Sequence, residues 1–555
     1  MADWGETAMA GAGWAVAAGL VLAGLLAQGT AVRAEYAGGQ GRAYVSDLPN
    51  PPEIRSHNRV LDAVFVAEPG KVTVATDRIT SNVYNDLYIP PTLRVRRGDT
   101  LLLRLVNKIG PADVEIEHKQ PTNIHFHGMD VSPLPPGDNV FINISPGKSF
   151  QYKVNIPDDH PQGLHWYHSH LHTFVDPQIL SGLSGMLIVD GGIESHYPEL
   201  AGLRQRVMVL KDINLPGATS PIRTVNGWRN PPIRSRPGEL QIWAIGNLGA
   251  DGFFNLRLEG HRFWVLERDG NFLRRPRLQD TLFLPPGART LVVVEAGEPG
   301  RYIFNTNTIN TGPTGLPSPW QRLGTFIVEG QPVLGDKLGR RLTRDAADIP
   351  SIGLTGEDLL KMPITKRRTF TFSDAPDFSA FYINGKTYDE NRIDTRVPLG
   401  GVEEWTIKNA AGELHVFHLH QTSFLVRTVN GVQQDYPGLR DVINVPWQIG
   451  KTPGEVKLLI PFLNPLMVGK FVYHCHIVGH EDAGMMQNIE VYKPRSQVAE
   501  MWDAVRKLAG AELPEFLGGG TAVASAAQPA DWPYDPASIC RAPTQPRPPA
   551  ALAER

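Results

Sequence analysis

The chain has 555 residues, too many for one hydrophobic core, and its 41% hydrophobic and 20% charged content is that of a globular protein rather than a disordered one. A formal net charge of −3 gives no reason to expect nucleic acid or an acidic membrane surface as a partner. The 55 glycines and 47 prolines, with few long amphipathic stretches, favour many short strands joined by turns.

The first feature is an apolar run, WAVAAGLVLAGLLA at 14–27, too short for a confident membrane span. Val32-Arg33-Ala34 follows, with small or modest residues where a signal peptidase reads. Residues 1–34 are therefore expected to be an export signal, which makes the protein periplasmic or secreted. Asp3 and Glu6 precede the run and no Lys or Arg does, so an uncleaved anchor is the competing reading. Only in that case would a membrane be a partner.

Two patterns then recur. RRGDTLLLRLVN, RPGELQIWAIGN and LGGVEEWTIKN place Gly98, Gly238 and Gly400 nine residues before Asn107, Asn247 and Asn409. Further along each unit, Gly163 precedes LHWYHSH, Gly300 precedes RYIFNTN and Gly469 precedes KFVYHCH. The middle unit thus carries Asn305 and Asn307 where the others carry histidines. Three related β units follow, at 40–192, 200–332 and 366–494, each expected to be a Greek-key sandwich. In the connector 333–365, GLTGEDLLKM suggests a helical turn or two. Beyond 495, RSQVAEMWDAVRKLAG suggests a short packed helix, and 518–555 reads as a Gly/Ala/Pro-rich tail. The tail carries Cys540, read as an ordinary exposed thiol. The only other cysteine is Cys475. If it holds metal, no intramolecular disulfide can form and cysteine usage does not identify the compartment.

The most informative stretch is Tyr473–Met486, YHCHIVGHEDAGMM. Side chains alternate along a strand, so Cys475 faces one way and His474 and His476 the other. His480 and Met485 follow on what should be a tight loop. Cysteine, histidine and a distant methionine are the ligand types of a blue copper site. Such a site needs a second imidazole. HVFHLH supplies it: His418 and His420 share a face, and His415 has the opposite parity. Eight histidines remain in four HxH pairs, 125/127, 168/170, 418/420 and 474/476. Eight imidazoles suit about three metal ions with open positions for a small molecule. His165 and His172, which flank the second pair, are read as supporting residues.

With these four motifs the chain resembles a three-domain multicopper oxidase of the laccase-like group, over roughly residues 45–495. The resemblance implies an all-β protein with a cupredoxin fold in each unit and four copper ions. His415, Cys475, His480 and Met485 match the type 1 ligands. His125 and His418 match those of the type 2 ion. His127, His168, His170, His420, His474 and His476 match those of the type 3 pair. Glu481 and Asp138 match acids that deliver protons to the three-ion cluster in relatives. Asp441, in LRDVINVP, resembles an aspartate that orients a type 1 histidine. The implied reaction couples one-electron oxidation of phenols or aromatic amines to four-electron reduction of dioxygen to water. A metal-ion donor such as Cu(I) is the alternative. It is disfavoured by the ten methionines, which form no cluster beyond Met485-Met486. A ligand-bearing scaffold without turnover, and a copper nitrite reductase, fit the full ligand set less well.

Overall fold

The computed structural model describes residues 45–110, 120–213, 221–333, 353–435 and 438–494. The N-terminal run, Cys540 and the expected helix after 495 lie outside them. Among the described residues strand far outweighs helix, and the strands form six sheets. The all-β expectation holds.

Residues 53–189 form a four-stranded and a five-stranded sheet, and 204–328 and 364–492 each form a six-stranded and a five-stranded sheet. One arrangement repeats in all three five-stranded sheets. A short strand (Thr92–Val95, Pro232–Ser235 or Thr395–Pro398) pairs in parallel with the unit's last strand (Ser184–Val189, Gln321–Val328 or Met486–Tyr492). That strand pairs antiparallel with Gly163–His168, Gly300–Thr306 or Gly469–Cys475. Next comes His125–His127, Phe254–Leu258 or His415–Leu419. The two HxH strands of the outer units therefore lie side by side, and the middle unit repeats the frame.

Alternating apolar residues fill each sandwich. Leu61, Phe65, Leu103 and Phe126 do so in the first, Trp243, Phe254, Val292 and Phe326 in the second, and Trp405, Phe417, Ile460 and Tyr473 in the third. A further cluster, including Trp166, Met186, Val209, Ile242 and Leu291, joins the first unit to the second. Burial of this kind is worth about 25 cal/mol per Å² of apolar surface, so the first two units share a continuous core rather than a loose contact.

The recurring glycine and asparagine have physical roles. Gly98, Gly238 and Gly400 adopt φ of 74°, 73° and 109°, open to glycine at no steric cost. Each asparagine ends its strand fully buried and clamps the following corner. Asn107 Nδ2 donates to the Gln120 and Ile144 carbonyls while Oδ1 accepts from Ile109 N–H. Asn247 joins Gly252 and Leu284 to Gly249, and Asn409 joins Glu413 and Val445 to Ala411, in the same manner.

Among the described residues of the connector there is one helical turn, Gly356–Leu359, closed by a Thr355–Asp358 capping box, within the turn or two expected. One local expectation shifts. The segment after Cys475 is a short helix, Val478–Asp482, rather than a loop. The Ile477 carbonyl accepts from both His480 and Glu481 N–H, and Gly484 (φ 115°) ends the turn.

Candidate metal centres

The strand Gly469–Cys475 separates two sites, one on each face. On one face the Cys475 sulfur lies 3.6 Å from His415 Nδ1 and 4.0 Å from His480 Nδ1, and these two nitrogens are 3.2 Å apart. Val416 N–H also points at the sulfur, 3.4 Å away. Met485 is fully buried in the same core cluster, and its carbonyl accepts from Cys475 N–H. The outer ring nitrogens meet carboxylates: His415 Nε2 lies 3.0 Å from Asp374 Oδ1, and His480 Nε2 lies 3.6 Å from Glu413 Oε1. The Phe381 ring stacks on His480 at 4.0 Å. Burial pushes the Cys475 thiol well above its ordinary value, so a thiolate here needs a cation beside it. Burial, followed by the adjacent Asp374, pushes Glu413 up to about 8.

On the other face the four HxH pairs converge. His125, His127, His168 and His170 come from the first unit, and His418, His420, His474 and His476 from the third. All eight are buried. Cross-strand register brings His125 opposite His168 and His418 opposite His474. His474 Nε2 lies 3.2 Å from His170 Nε2 across the interface and 3.2 Å from His420 Nε2 within its own unit. His476 Nε2 lies 3.2 Å from His127 Nδ1. His125 and His420 stack at 3.9 Å, as do His127 and His418.

The outer nitrogens show what this pocket suits. His125 Nδ1 faces Asp138, His168 Nδ1 faces the Ser169 carbonyl, and His418 Nδ1 faces the Asp441 carbonyl. Each donates outward, and each of these rings then turns an unpartnered Nε2 inward. His474 and His127 are held the same way, through the Cys475 carbonyl and Asp441 Oδ1. The inward nitrogens are therefore lone pairs aimed at one another. Protons cannot relieve them: burial first, and then neighbouring imidazoles, hold His127, His168, His170, His418, His420 and His476 well below the usual histidine range. Ligand atoms of three trios, His125/His418/His420, His125/His127/His168 and His170/His420/His474, lie within 4.8 Å of one another, as do those of His415/Cys475/His480. Convergent buried imidazoles, several held by outward hydrogen bonds, and one thiol among imidazoles fit copper.

The acidic residues divide. Asp138 Oδ1 accepts from His125 and from Phe126 N–H, and Gln421 Nε2 donates to its Oδ2. Glu481 is fully buried, with Oε2 3.0 Å from His474 Nδ1 and Oε1 3.5 Å from His170 Nδ1. Both are close approaches without hydrogen-bond alignment. Both acids lie against the eight-histidine pocket. Asp441 does not orient His415 or His480, which corrects the sequence expectation. It immediately precedes the strand Val442–Val445, whose Val442 pairs with His418. That pairing leaves its carbonyl on His418 and its carboxylate on His127. Asp374, at the end of Ile364–Asp374 in the other sheet, holds His415 instead.

Asp374, Glu413, Gln421 and Arg289 were not singled out from sequence. Gln421, directly after HLH, and Glu413, two residues before His415, had a local signal; Asp374 acts from the other sheet and Arg289 from another unit. Of the flanking histidines, His165 packs edge-on to His160 at 5.2 Å, and His172 meets the Tyr388 ring at 4.6 Å.

Comparison with known proteins agrees with this geometry. Multicopper oxidase family profiles match residues 67–192, 201–324 and 355–495. The chain is 25% identical to multicopper oxidase mco of Staphylococcus aureus, over 79% of this chain and 90% of that protein. It is 23% identical to cell division protein FtsP of Dickeya dadantii, over 73% and 84%. Among solved structures, a Campylobacter jejuni multicopper oxidase described as a metallo-oxidase superposes with a TM-score of 0.66 at 25% identity, over 81% of this chain and 95% of that one. The laccase-like CueO of an Ochrobactrum species superposes at 0.64 with 24% identity, over 80% and 100%. Three profile matches in series, over a chain whose histidines gather in this way, show that the protein belongs to the multicopper oxidase family.

Proposed function

We propose that the protein is a laccase-like oxidase that takes single electrons from a small organic donor and uses four of them to reduce dioxygen to water. One type 1, one type 2 and two type 3 ions would complete it, held by the ligand sets named above. The reading rests on one observation: Cys475 faces His415 and His480 on one side, while its chain neighbours His474 and His476 face the eight-histidine pocket on the other. Copper at these positions would supply the redox chemistry, one electron at a time beside the sulfur and oxygen reduction among the imidazoles.

The chain's own residues do the rest. The backbone from Cys475 to either neighbour is the shortest covalent route between the sites. Glu481, between His474 and His170, is placed to hold and pass protons at Oε1 and Oε2, and Asp138 is placed likewise beside His125. Burial of all eight imidazoles excludes bulk water. At the donor side His480 keeps 13% of its side chain exposed, flanked by Phe381 and Glu413. A small organic donor would meet the site at this exposed edge of His480. Export through residues 1–34 belongs to the same reading.

A Cu(I) donor is the second reading, favoured by the likeness to a protein described as a metallo-oxidase. Oxygen uptake by the copper-loaded enzyme, given a phenol and Cu(I) in separate runs, tests both. A higher kcat/KM for the phenol is expected. Preference for Cu(I) at low concentration reverses the order, and no uptake with either donor removes the oxidase reading.

A further inference from the structure

The middle unit contributes no metal-ligating histidine, yet one of its side chains reaches the wall of the eight-histidine pocket. Arg289 opens the strand Arg289–Glu295 and is fully buried. Its guanidinium is spent on all three units. Nη1 and Nη2 donate to Asp441 Oδ1 and Oδ2 of the third unit, both at 2.7 Å. Nε donates to the Leu164 carbonyl of the first unit at 3.0 Å, and Nη1 also to the Gly287 carbonyl of its own unit at 3.0 Å. Its backbone N–H is fixed by Asp269 Oδ1 at 2.8 Å. Burial opposes the charge, but Asp441 and then Asp269 hold the guanidinium above its ordinary value, so it stays a cation.

Asp441 passes this arrangement on. Its Oδ1 accepts from His127 Nε2 at 3.1 Å, and its carbonyl accepts from His418 Nδ1 at 2.8 Å. These two rings stack at 3.9 Å with 7° between their planes, one from the first unit and one from the third. A planar fork against a carboxylate fixes rotation as well as position, which a lysine cannot do. The approach leaves no slack. Gly128 sits at φ 80°, and a Cβ there would fall 2.5 Å from both Arg289 Nη2 and Asp441 Oδ2. The same closeness appears at Gly287, where a Cβ would lie 3.0 Å from His476 Nε2.

We propose that Arg289 is a positioning residue for the three-ion pocket: the metal-free middle unit, through the Arg289–Asp441 fork, sets the rings of His127 and His418 and so registers the first unit against the third. This rests on the reading that the pocket holds copper. Arg289 touches no ligand itself and acts only through Asp441.

The test uses the full chain, copper-loaded, as wild type, R289K, R289M and the double variant R289M/D441N, which removes both buried charges together. Copper per chain is measured with the blue absorption of the thiolate site, the EPR signal of the lone ion and the near-ultraviolet band of the paired ions. Expected is an unchanged blue band in every variant, with loss of roughly one pocket ion and an altered lone-ion EPR signal in R289M and in the double variant. R289K should fall between these and wild type, since it keeps the charge but not the fork. A purely structural role would lower the melting temperature and leave the spectra of the folded fraction untouched. A cooperatively folded double variant with full copper and a native EPR signal overturns the proposal. If R289M and the double variant fail to fold, a native lone-ion signal in R289K overturns it equally. A wild-type chain that takes copper at the thiolate site and none in the pocket defeats the underlying reading, not only this one.

Discussion

The outer units and the middle unit use the same strand for different ends. In Gly163–His168 and Gly469–Cys475 the strand delivers histidines to a shared pocket. In Gly300–Thr306 the equivalent positions are Asn305 and Asn307, and Asn305 Nδ2 simply donates to Asn307 Oδ1 at 3.0 Å. The frame is common, down to the buried asparagine that clamps each corner. Ligation is thus a change of side chains on a frame that does not need it. The middle unit's own contribution, Arg289, is made from a different strand.

The largest expected effect comes from cutting the sulfur out of the outer-unit strand. Cys475→Ser should abolish turnover with every donor while the eight-histidine pocket keeps its copper. Retained oxygen uptake in that variant would break the comparison at once. Next is Glu481→Gln, which keeps shape and removes a proton-holding group. A fall of about 10²-fold in kcat is expected, with little change in donor KM. A KM effect alone would make Glu481 a donor-side residue, contrary to its contacts with His474 and His170.

The frame is probed by Asn247→Ala and Asn409→Ala. Each strands buried carbonyls and an N–H, and each should cost about 2–3 kcal/mol in denaturant unfolding, alike in the metal-free and the metal-bearing unit. A much larger loss at Asn409, measured without copper, would show that the units are not equivalent. The smallest effect is expected from the double variant N305H/N307H. It restores the HxH pattern to the middle unit, but no facing imidazoles exist there. Copper per chain should not rise, and stability should move by about 1 kcal/mol.

Much of this was legible in the sequence because strand parity is a local rule. It sorted His415 from His418 and His420, and Cys475 from its neighbours, and the structure puts these side chains where parity sends them. The repeated glycine and asparagine were visible as a pattern, but the clamp was not, because each asparagine reaches a carbonyl 36 or 37 residues further along. What could not be read depends on which strand lies beside which. Asp441 was placed with the wrong histidines because its partner is fixed by the pairing of Val442 with His418. Asp374 reaches His415 from the opposite sheet, and Arg289 reaches Asp441 from another unit altogether. The short helix after Cys475, expected as a tight loop, escaped because it is only five residues long and has no side-chain cap at its start.

The asparagine clamp has one more consequence. It closes each corner with amide and carbonyl groups alone, and it does so as well in the unit that lacks ligands as in the two that bear them. None of these hydrogen bonds uses a ligand side chain, so stripping the metal is expected to leave all three corners closed.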